Sequence, residues 1–453
     1  MERSVLDTDT LINSRKIGRL QWLVGVLGAA ALLVEGFDTS AIGYIQPQIT
    51  RDWALQPNMV GTILNADMIG LLLGYLLVAP LSARFGHRRT VIACTTAFGA
   101  LTFLTVTATD VTMLIAFRLL TGIGVGGAMP SAVALVGEYF PERVRSTSVT
   151  LVYIGFSLGQ IAAGVVSNLL LEPFSWRAVL AFGGAFTLVL AAMFALLLPE
   201  SLEYLINRGG GRPRTIRILC RLAPELAISD TTRLVAGSQG GRKVALRQLL
   251  EEGRAVGTIL AWIGMFASLM IYFFMQKWLP SLLVQVGLSQ GTAITATTVG
   301  LAGGILAAFI IGPLMDRYGP YAVVTGVFAF SAVSVSIMAY ALTEPEARAL
   351  TVLSFLIGSC LSGGQKANNA LSVFFYPIAL RGPGLGWALG IGRIGGVIGI
   401  SIAGDLLSKG WSPSGLFYAA AIPLIVGAMA IAAMGHIYGR GAARGALASG
   451  SKA

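Results

Sequence analysis

Charged residues are scarce in this chain: Asp, Glu, Lys and Arg make up 12% of its 453 residues. Soluble globular proteins carry about twice that share, so the composition does not fit an ordinary soluble domain. With three cysteines and two histidines, the chain has neither a disulfide framework nor a metal-ligand cluster. No phosphate-binding loop and no nucleophile–base set is visible, so we expect neither an enzyme nor a bound cofactor.

Apolar residues dominate instead, at 55% of the chain. They form twelve runs of about 20 residues, the length that crosses a bilayer. The runs lie near residues 19–42, 57–78, 90–108, 112–136, 148–170, 176–198, 254–276, 291–313, 321–342, 347–371, 384–407 and 413–435. The sequence therefore predicts an all-α polytopic membrane protein with twelve transmembrane helices.

A polar, basic segment separates six runs from the other six. We predict an N-terminal arm at 1–18, a six-helix bundle at 19–198, a linker at 199–253, a second six-helix bundle at 254–435 and a tail at 436–453. The first run is too long for the core of a secretion signal, so we interpret it as an uncleaved first span.

Lys and Arg residues concentrate on one side of this predicted topology. Most of them lie in segments that share a side with the N-terminus, above all in the linker, and few, such as Lys277, lie on the other side. Positive charge is typical of cytoplasmic loops, so we expect both termini in the cytoplasm. The net charge of +11 is thus explained without a nucleic-acid partner.

The two halves resemble each other. APLSARFG at 79–86 and GPLMDRYG at 312–319 each follow the second run of their half, and PERVR at 141–145 and PIALR at 377–381 precede the fifth. Duplicated six-span halves are typical of transporters whose site lies between two bundles. Two G-x-G-x-x-G matches, at 122–127 and 390–395, lie inside apolar runs and indicate helix contact rather than dinucleotide binding.

Several motifs resemble those of the major facilitator superfamily. They are the loop APLSARFGHRR, the run RLLTGIGVGG opened by Arg118, and LPES at the end of the sixth run. A narrower resemblance, to the aromatic acid:proton symporters of 4-hydroxybenzoate and benzoate type, rests on EGFDTSAIGYIQP at 35–47, the segment 124–146 and GLGWALGIGRIGG at 384–396. It implies proton-coupled uptake of a small aromatic carboxylate by alternating access in the bacterial inner membrane, and we expect a monomer.

The resemblance also implies a set of gating residues near the loops: Arg84, Gly86, Glu138, Arg145, Asp316, Arg317 and Arg381. Ala83 stands where the superfamily carries Asp, a residue thought to lock the two bundles on the cytoplasmic side. We expect its loss to weaken the outward-open state, and Glu138 is a candidate for compensating it.

Acidic residues inside the predicted spans are costly to place in a membrane. They are therefore interpreted first as parts of a functional site. Glu35 and Asp38 share one face of the first span, because residues three apart are neighbours on a helix. Two close carboxylates in a low dielectric cannot both ionise cheaply, so one is expected to carry a proton. The alternative is a structural ion pair with an Arg of a neighbouring helix.

Two cations inside the second bundle are candidates for binding the anionic substrate. Arg393 can hold a carboxylate with two parallel hydrogen bonds; otherwise it is a permanent partner of Asp38 or Glu35. Lys366, beside Gln365 and near Asn369, either selects a second carboxylate or extends to the membrane interface.

Two further ionisable residues of the first bundle are assigned to proton coupling. Asp67, midway along the second span, is either a titrating group or a partner for Lys366. Arg118, in the fourth span, either aids proton coupling, as its counterpart in the superfamily often does, or forms an internal pair.

Aromatic substrates need flat apolar walls. Phe37, Tyr44, Tyr272 and Trp387 are candidates for these walls, although packing or anchoring at the interface is the commoner role of such residues.

The mechanism we expect begins with proton uptake by Asp38, together with Glu35, which frees Arg393 for the incoming carboxylate. The bundles then rock, and substrate and proton leave inside. Alternatives are a transporter of another organic anion, such as a sugar acid or a dicarboxylate, a drug/proton antiporter of the same fold, and a non-transporting receptor on a transporter scaffold.

Overall fold

The computed structural model describes residues 5–207, 212–223, 232–235, 246–377 and 380–450. In these ranges twelve helices are long and apolar enough to cross a membrane, as predicted. They are α1 (Arg19–Asp52), α2 (Pro57–Leu77), α3 (His87–Leu104), α4 (Val111–Tyr139), α5 (Glu142–Leu170), α6 (Trp176–Leu197), α7 (Ala255–Gln285), α8 (Gln290–Tyr318), α9 (Pro320–Ala341), α10 (Ala347–Phe375), α11 (Arg381–Ser408) and α12 (Pro413–Gly450).

Several helices continue beyond the apolar runs that predicted them. Helix α1 runs to Asp52 and includes Pro47, whereas its apolar run ends near 42. Polar side chains in this extension have hydrogen-bond partners: Gln46 donates to Thr50 Oγ1 at 2.8 Å, and Gln48 donates to the Leu171 carbonyl at 3.0 Å. Hydropathy detects only the apolar part of a helix. The helix itself continues for as long as its backbone hydrogen bonds are made.

The helices group into two compact units that do not follow the order of the chain. Unit 1 comprises Met1–Ala41, Ala66–Ala163 and Pro173–Gly241, and unit 2 comprises Ile42–Asn65, Gly164–Glu172 and Arg242–Ala453. Helices α1, α2 and α5 therefore each contribute one end to unit 2.

Glycines bring the backbones of helices α2 and α4 together in unit 1. A Cβ atom on Gly70 would collide with the Leu119 carbonyl, and one on Gly122 would collide with the Asp67 carbonyl. Gly74 and Gly126 make a second contact of this kind one turn further along both helices. Small residues at such spacing let membrane helices pack closely, so the glycine-rich match at 122–127 serves helix contact, as predicted.

The N-terminal arm and the linker form a small sheet on unit 1 that the sequence did not predict. Strand β1 (Val5–Asp7) pairs in parallel with strand β2 (Arg233–Val235). A short helix, Thr8–Asn13, follows β1 and buries Leu11 and Ile12 against the apolar core of the unit. The linker also contains helices Leu202–Asn207, Arg212–Leu222 and Leu246–Leu250.

Unit 2 uses the same close packing. Gly300 of α8 and Gly358 of α10 meet backbone to backbone, and Gly395 of α11 lies against the Phe266 carbonyl of α7. The end of α1 that belongs to this unit packs on α7, because Gly43 leaves room for the backbone at Gln276.

We predict that Gly122→Ala destabilises the protein and that Gly137→Ala on the same helix does not. The added methyl at Gly122 would collide with the α2 backbone, and overpacking typically costs about 1–3 kcal/mol. No heavy atom lies within 4 Å of a Cβ at Gly137. Thermal unfolding of both purified variants in detergent tests this, and equal melting temperatures would contradict the observed helix contact.

Candidate functional site

A buried ion pair joins helices α1 and α4 in unit 1. Arg118 is 0% exposed and Asp38 is 4% exposed. Arg118 donates through Nη1 to Asp38 Oδ1 and through Nη2 to Oδ2, both at 2.8 Å. Thr102 of α3 also donates to Oδ1, at 3.4 Å. This two-pronged geometry is the strongest form of the Arg–carboxylate interaction.

A second carboxylate shares the same guanidinium. Asp67 of α2 is 6% exposed, and its Oδ2 lies 3.3 Å from Arg118 Nη2. The position of Asp67 is fixed by the close contact of its backbone with Gly122, one turn beyond Arg118 on α4. The structure thus brings together three of the four residues predicted for proton coupling.

The fourth, Glu35, lies one turn before Asp38 on α1 and is equally buried. It is held on a helix that packs tightly against α5, where a Cβ on Gly36 would collide with the Phe156 carbonyl.

The structure shows the partners of three residues whose pairing the sequence left open: Arg118, Asp67 and Lys366. Arg118 was expected either to couple protons or to form an internal pair, and its two-pronged contact is with Asp38. Asp67, for which Lys366 was considered as a partner, lies against Arg118. Lys366 is half-buried on α10 and donates to the Gly304 carbonyl of α8 at 3.2 Å.

The other polar candidates for substrate binding lie in unit 2. Arg393 is half-buried on α11, and Gln365 and Asn369 are half-buried on α10.

The aromatic candidates occupy different environments. Phe37 is buried against α6, where its ring lies 6.0 Å from that of Phe182. Tyr44 is buried in unit 2 with its hydroxyl 3.4 Å from Thr298 Oγ1. Trp387 is 46% exposed beside Trp262, which fits the alternative role of an anchor at the membrane interface.

Tyr272 lines a cavity of about 30 Å³ inside unit 2. Helices α7, α8 and α10 form this cavity, and its polar lining comes from Tyr272, Gln276, Thr297, Ser354 and Ser362. Sequence reasoning missed Gln276. Its position one helical turn after Tyr272 was the available signal, since residues four apart share a helix face.

Lys277, which was counted with the outer segments, is a buried residue. It lies within α7 and is 0% exposed. The apolar run that predicted α7 ends near 276, while the helix continues to Gln285. The sequence WLPSLL after Lys277 is itself apolar enough to have signalled the extension.

Three predicted gating residues of unit 1, Arg84, Gly86 and Glu138, lie at the start of α3, and the fourth, Arg145, lies on α5. Gly86 has φ +95°, a conformation that favours glycine, and it precedes the helix. Glu138 accepts a hydrogen bond from Ser201 at 2.9 Å and lies 3.7 Å from His87 Nε2. Arg84 is exposed and Arg145 is half-buried.

Beside these residues, Glu200 supplies an anion at the N-terminus of α3, where Oε1 accepts from the backbone N–H of Arg88 at 3.0 Å. Negative charge is favourable at this end of a helix. Sequence reasoning assigned Glu200 no role, although it belongs to the LPES motif.

The predicted gating residues of unit 2 lie at the end of α8 and at the start of α11. Asp316 and Arg317 are exposed, with the Arg317 guanidinium 5.2 Å from the Tyr318 ring centre. Arg381 is exposed and donates to the Tyr376 carbonyl at 3.3 Å.

The twelve apolar helices of the described ranges are those of a multi-pass membrane protein. The family model of the Major Facilitator Superfamily matches residues 28–307 and 261–438, and the chain belongs to this superfamily. This confirms the predicted superfamily and its place in the bacterial inner membrane, and proteins of this family are not enzymes.

Named relatives extend along nearly the whole chain. It is 33% identical over 433 residues to the 4-hydroxybenzoate transporter PcaK of Acinetobacter baylyi, covering 95% of this chain and 94% of that protein. It is 34% identical over 431 residues to the gallate transporter of Pseudomonas putida, covering 95% of each. These relatives confirm the predicted resemblance to the aromatic acid transporters of the superfamily.

A solved structure supports the fold. The xylose transporter XylE from E. coli, in a partially occluded inward open conformation, superposes with a TM-score of 0.68 at 15% identity, covering 91% of this chain and 97% of that one.

We predict that Arg118→Gln destabilises the protein more than Asp38→Asn does. In Asp38→Asn, Arg118 keeps Asp67 as a partner, whereas Arg118→Gln leaves two buried carboxylates without their shared cation. Removing one partner of a buried pair typically costs about 3–5 kcal/mol. The double variant should recover part of the loss. Thermal unfolding of the three variants is the measurement, and the opposite order would contradict the shared site.

Proposed function

We propose that this protein is a secondary active transporter that takes up a small aromatic carboxylate together with protons by alternating access. The observation that carries the proposal is the sharing of Arg118 by Asp38 and Asp67 inside a membrane bundle. Carboxylates in such a place can bind and release protons, and intramembrane acids of this kind mark proton relays. The relatives that transport 4-hydroxybenzoate and gallate support an aromatic acid as the substrate.

The coupling step that we propose is centred on Asp38. A proton bound by Asp38 removes the charge that holds Arg118 in its two-pronged pair, and loss of that proton restores the pair. Arg118, rather than Arg393, is therefore the cation that responds directly to the proton, with Glu35 beside Asp38 on the same helix. The buried setting makes this response strong, since an ion pair in a low dielectric is poorly screened.

Substrate binding is assigned to unit 2 in this proposal. Arg393 holds the carboxylate, because its planar guanidinium matches carboxylate geometry and stays charged at any working pH. Gln365 and Asn369 contribute polar contacts, and Tyr272 contributes an apolar ring face. Lys366 would favour a second acidic group on the substrate.

The proposal also includes the orientation of the protein in the membrane and its oligomeric state. The excess of Lys and Arg in the arm, the linker and the tail supports cytoplasmic termini, and the protein acts as a monomer. The residues around the start of α3, at the end of α8 and at the start of α11 act as gates.

Uptake into proteoliposomes under an imposed pH gradient tests the proposed activity. We expect accumulation of 4-hydroxybenzoate, gallate or benzoate when the outside is acidic, and loss of accumulation when a protonophore collapses the gradient. Sugar acids, aromatic dicarboxylates and lipophilic cations belong in the same panel. Accumulation of none of the aromatic acids would overturn the proposal, and transport of the cations alone would favour a drug/proton antiporter.

We predict that Asp38→Asn abolishes accumulation driven by the pH gradient while exchange of labelled for unlabelled substrate persists. The amide keeps the shape of the side chain but cannot exchange a proton. Asp110→Asn is the matched control, since Asp110 is exposed at the N-cap of α4 and Asn caps equally well. Full accumulation by Asp38→Asn would remove Asp38 from the coupling step.

We predict that Arg393→Gln raises the dissociation constant of the aromatic carboxylate at least tenfold. Loss of a charge-assisted hydrogen-bond pair removes about 1.5–3 kcal/mol, and about 1.4 kcal/mol corresponds to tenfold. Equilibrium binding to purified protein measures it. Arg348→Gln, an exposed arginine at the start of α10, is the control. An unchanged dissociation constant for Arg393→Gln would exclude Arg393 from the site.

A further inference from the structure

We propose that the small cavity between α7, α8 and α10 is a subsite for a ring hydroxyl of the substrate, with Thr297 and Ser354 as its hydrogen-bond acceptors. The preferred substrates are then aromatic carboxylates that carry a hydroxyl group opposite the carboxylate. This inference rests on the proposed function and narrows its substrate class. It assigns specificity for the ring to two residues that bind no charge.

The cavity is too small for an aromatic ring and large enough for one hydroxyl group. Its volume of about 30 Å³ is enough for a group of the size of water. Ligand sites combine apolar walls with a few placed polar groups. Here the apolar walls come from Met275, Leu279, Leu301, Ile357 and Leu361. A hydroxyl group carried by an apolar ring matches this combination.

The hydroxyl groups of Thr297 and Ser354 have already used their protons. Thr297 donates to the Ala293 carbonyl at 2.9 Å, and Ser354 donates to the Leu350 carbonyl at 2.7 Å. Each oxygen can still accept a hydrogen bond. The two residues are 4% and 1% exposed, so bulk water does not reach them. A ligand group that binds between them therefore has to be a donor.

A phenolic hydroxyl is a donor that suits buried acceptors in a membrane protein. It is uncharged at neutral pH, since phenols such as that of tyrosine ionise only near pH 10. A methoxy group, a fluorine atom and an unsubstituted ring edge have no proton to donate. Placing one of them against buried acceptors removes the water that could serve those acceptors and gives nothing in return. The subsite thus separates hydroxylated aromatic acids from their close analogues.

The close contact of α8 with α10 holds the two acceptors in place. A Cβ atom on Gly300 would lie 2.7 Å from the Ser354 carbonyl, so no side chain separates the two backbones here. Thr297 lies three residues before Gly300 and therefore on the same face of α8. Both acceptors are carried by helices rather than by loops, which keeps their separation constant and makes the site selective.

The depth of the cavity fits a substrate whose carboxylate is held by Arg393. On α11, Gly392 lies against Leu269 of α7, and Gly396 lies against Phe273. Arg393 is therefore at the depth of the α7 segment 269–273. The α7 side chains that line the cavity begin within this segment and continue for nearly two turns beyond it. One turn rises about 5.4 Å, a distance that one aromatic ring spans.

Equilibrium binding of matched ligands to purified protein tests the subsite. The ligands are 4-hydroxybenzoate, 4-methoxybenzoate, 4-fluorobenzoate and benzoate, which share the carboxylate and differ at the opposite end of the ring. We expect 4-hydroxybenzoate to bind about fivefold tighter than each of the other three, which corresponds to about 1 kcal/mol. Equal dissociation constants for 4-hydroxybenzoate and benzoate would overturn the subsite.

Thr297→Val and Ser354→Ala assign the preference to its residues, because each removes one acceptor. We expect each variant to lose most of the preference for 4-hydroxybenzoate while its dissociation constant for benzoate stays within about twofold of the wild type. Retained binding of benzoate also shows that the variant is folded. Ser372→Ala is the matched control and should keep the preference. Ser372 is buried on α10 and donates to the Asn368 carbonyl, but it does not line the cavity.

A variant that binds no ligand is replaced by a more conservative one. Thr297→Ser keeps the acceptor, so retention of the preference supports the proposal and its loss contradicts it. An equal loss of affinity for 4-hydroxybenzoate and benzoate in both Thr297→Val and Ser354→Ala would show a structural role only and would contradict the assignment.

The subsite and the proposed function fail in different ways. Uptake of benzoate and 4-hydroxybenzoate with equal affinity would overturn the subsite and leave the proposed function intact. A preference that is unchanged in both Thr297→Val and Ser354→Ala would overturn the assignment to these residues. Absence of uptake of every aromatic acid under an imposed pH gradient would overturn the proposed function itself.

Discussion

One guanidinium shared by two carboxylates is the constraint around which unit 1 is arranged. Water is absent from the bilayer core, so the charges of Arg118, Asp38 and Asp67 must satisfy one another. Three helices therefore have to meet at one depth with side-chain atoms within hydrogen-bond reach. The charged residues of α1, α2 and α4 therefore restrict how these helices can pack. A shift of any one of them would leave a buried charge uncompensated.

The sequence predicted the helical architecture and the residues of the site. It predicted less well which of those residues form ion pairs with one another. Twelve apolar runs predicted twelve helices because hydropathy reports burial in lipid directly. Asp38, Asp67 and Arg118 were selected because ionisable residues inside spans are rare. Which of these residues pair with one another was left open. The hydrophobic period of one helix does not tell which other helices are its neighbours. The apolar runs also ended before the helices do, which is why Lys277 was not predicted to lie within α7.

The β1–β2 pairing has no counterpart in the sequence patterns either. Each strand is three residues long, too short for alternation to stand out, and the two lie far apart in the chain. Its effect is to attach Arg233–Val235 of the linker to the N-terminal arm of unit 1. The linker was predicted from hydropathy only as a polar connection between the two bundles. The structure shows that it is attached to unit 1 near its middle.

The backbone contact of α2 with α4 also sets the kind of motion by which the site can work. Two helices in contact at Gly70, Gly74, Gly122 and Gly126 have no side chains between them that could repack. Interfaces packed this closely do not deform gradually, so both helices move as one body. Arg118 and Asp67 lie on these two helices and therefore stay at one distance, whereas the pair of Arg118 with Asp38 joins this body to α1 and is the contact that a movement of α1 would break.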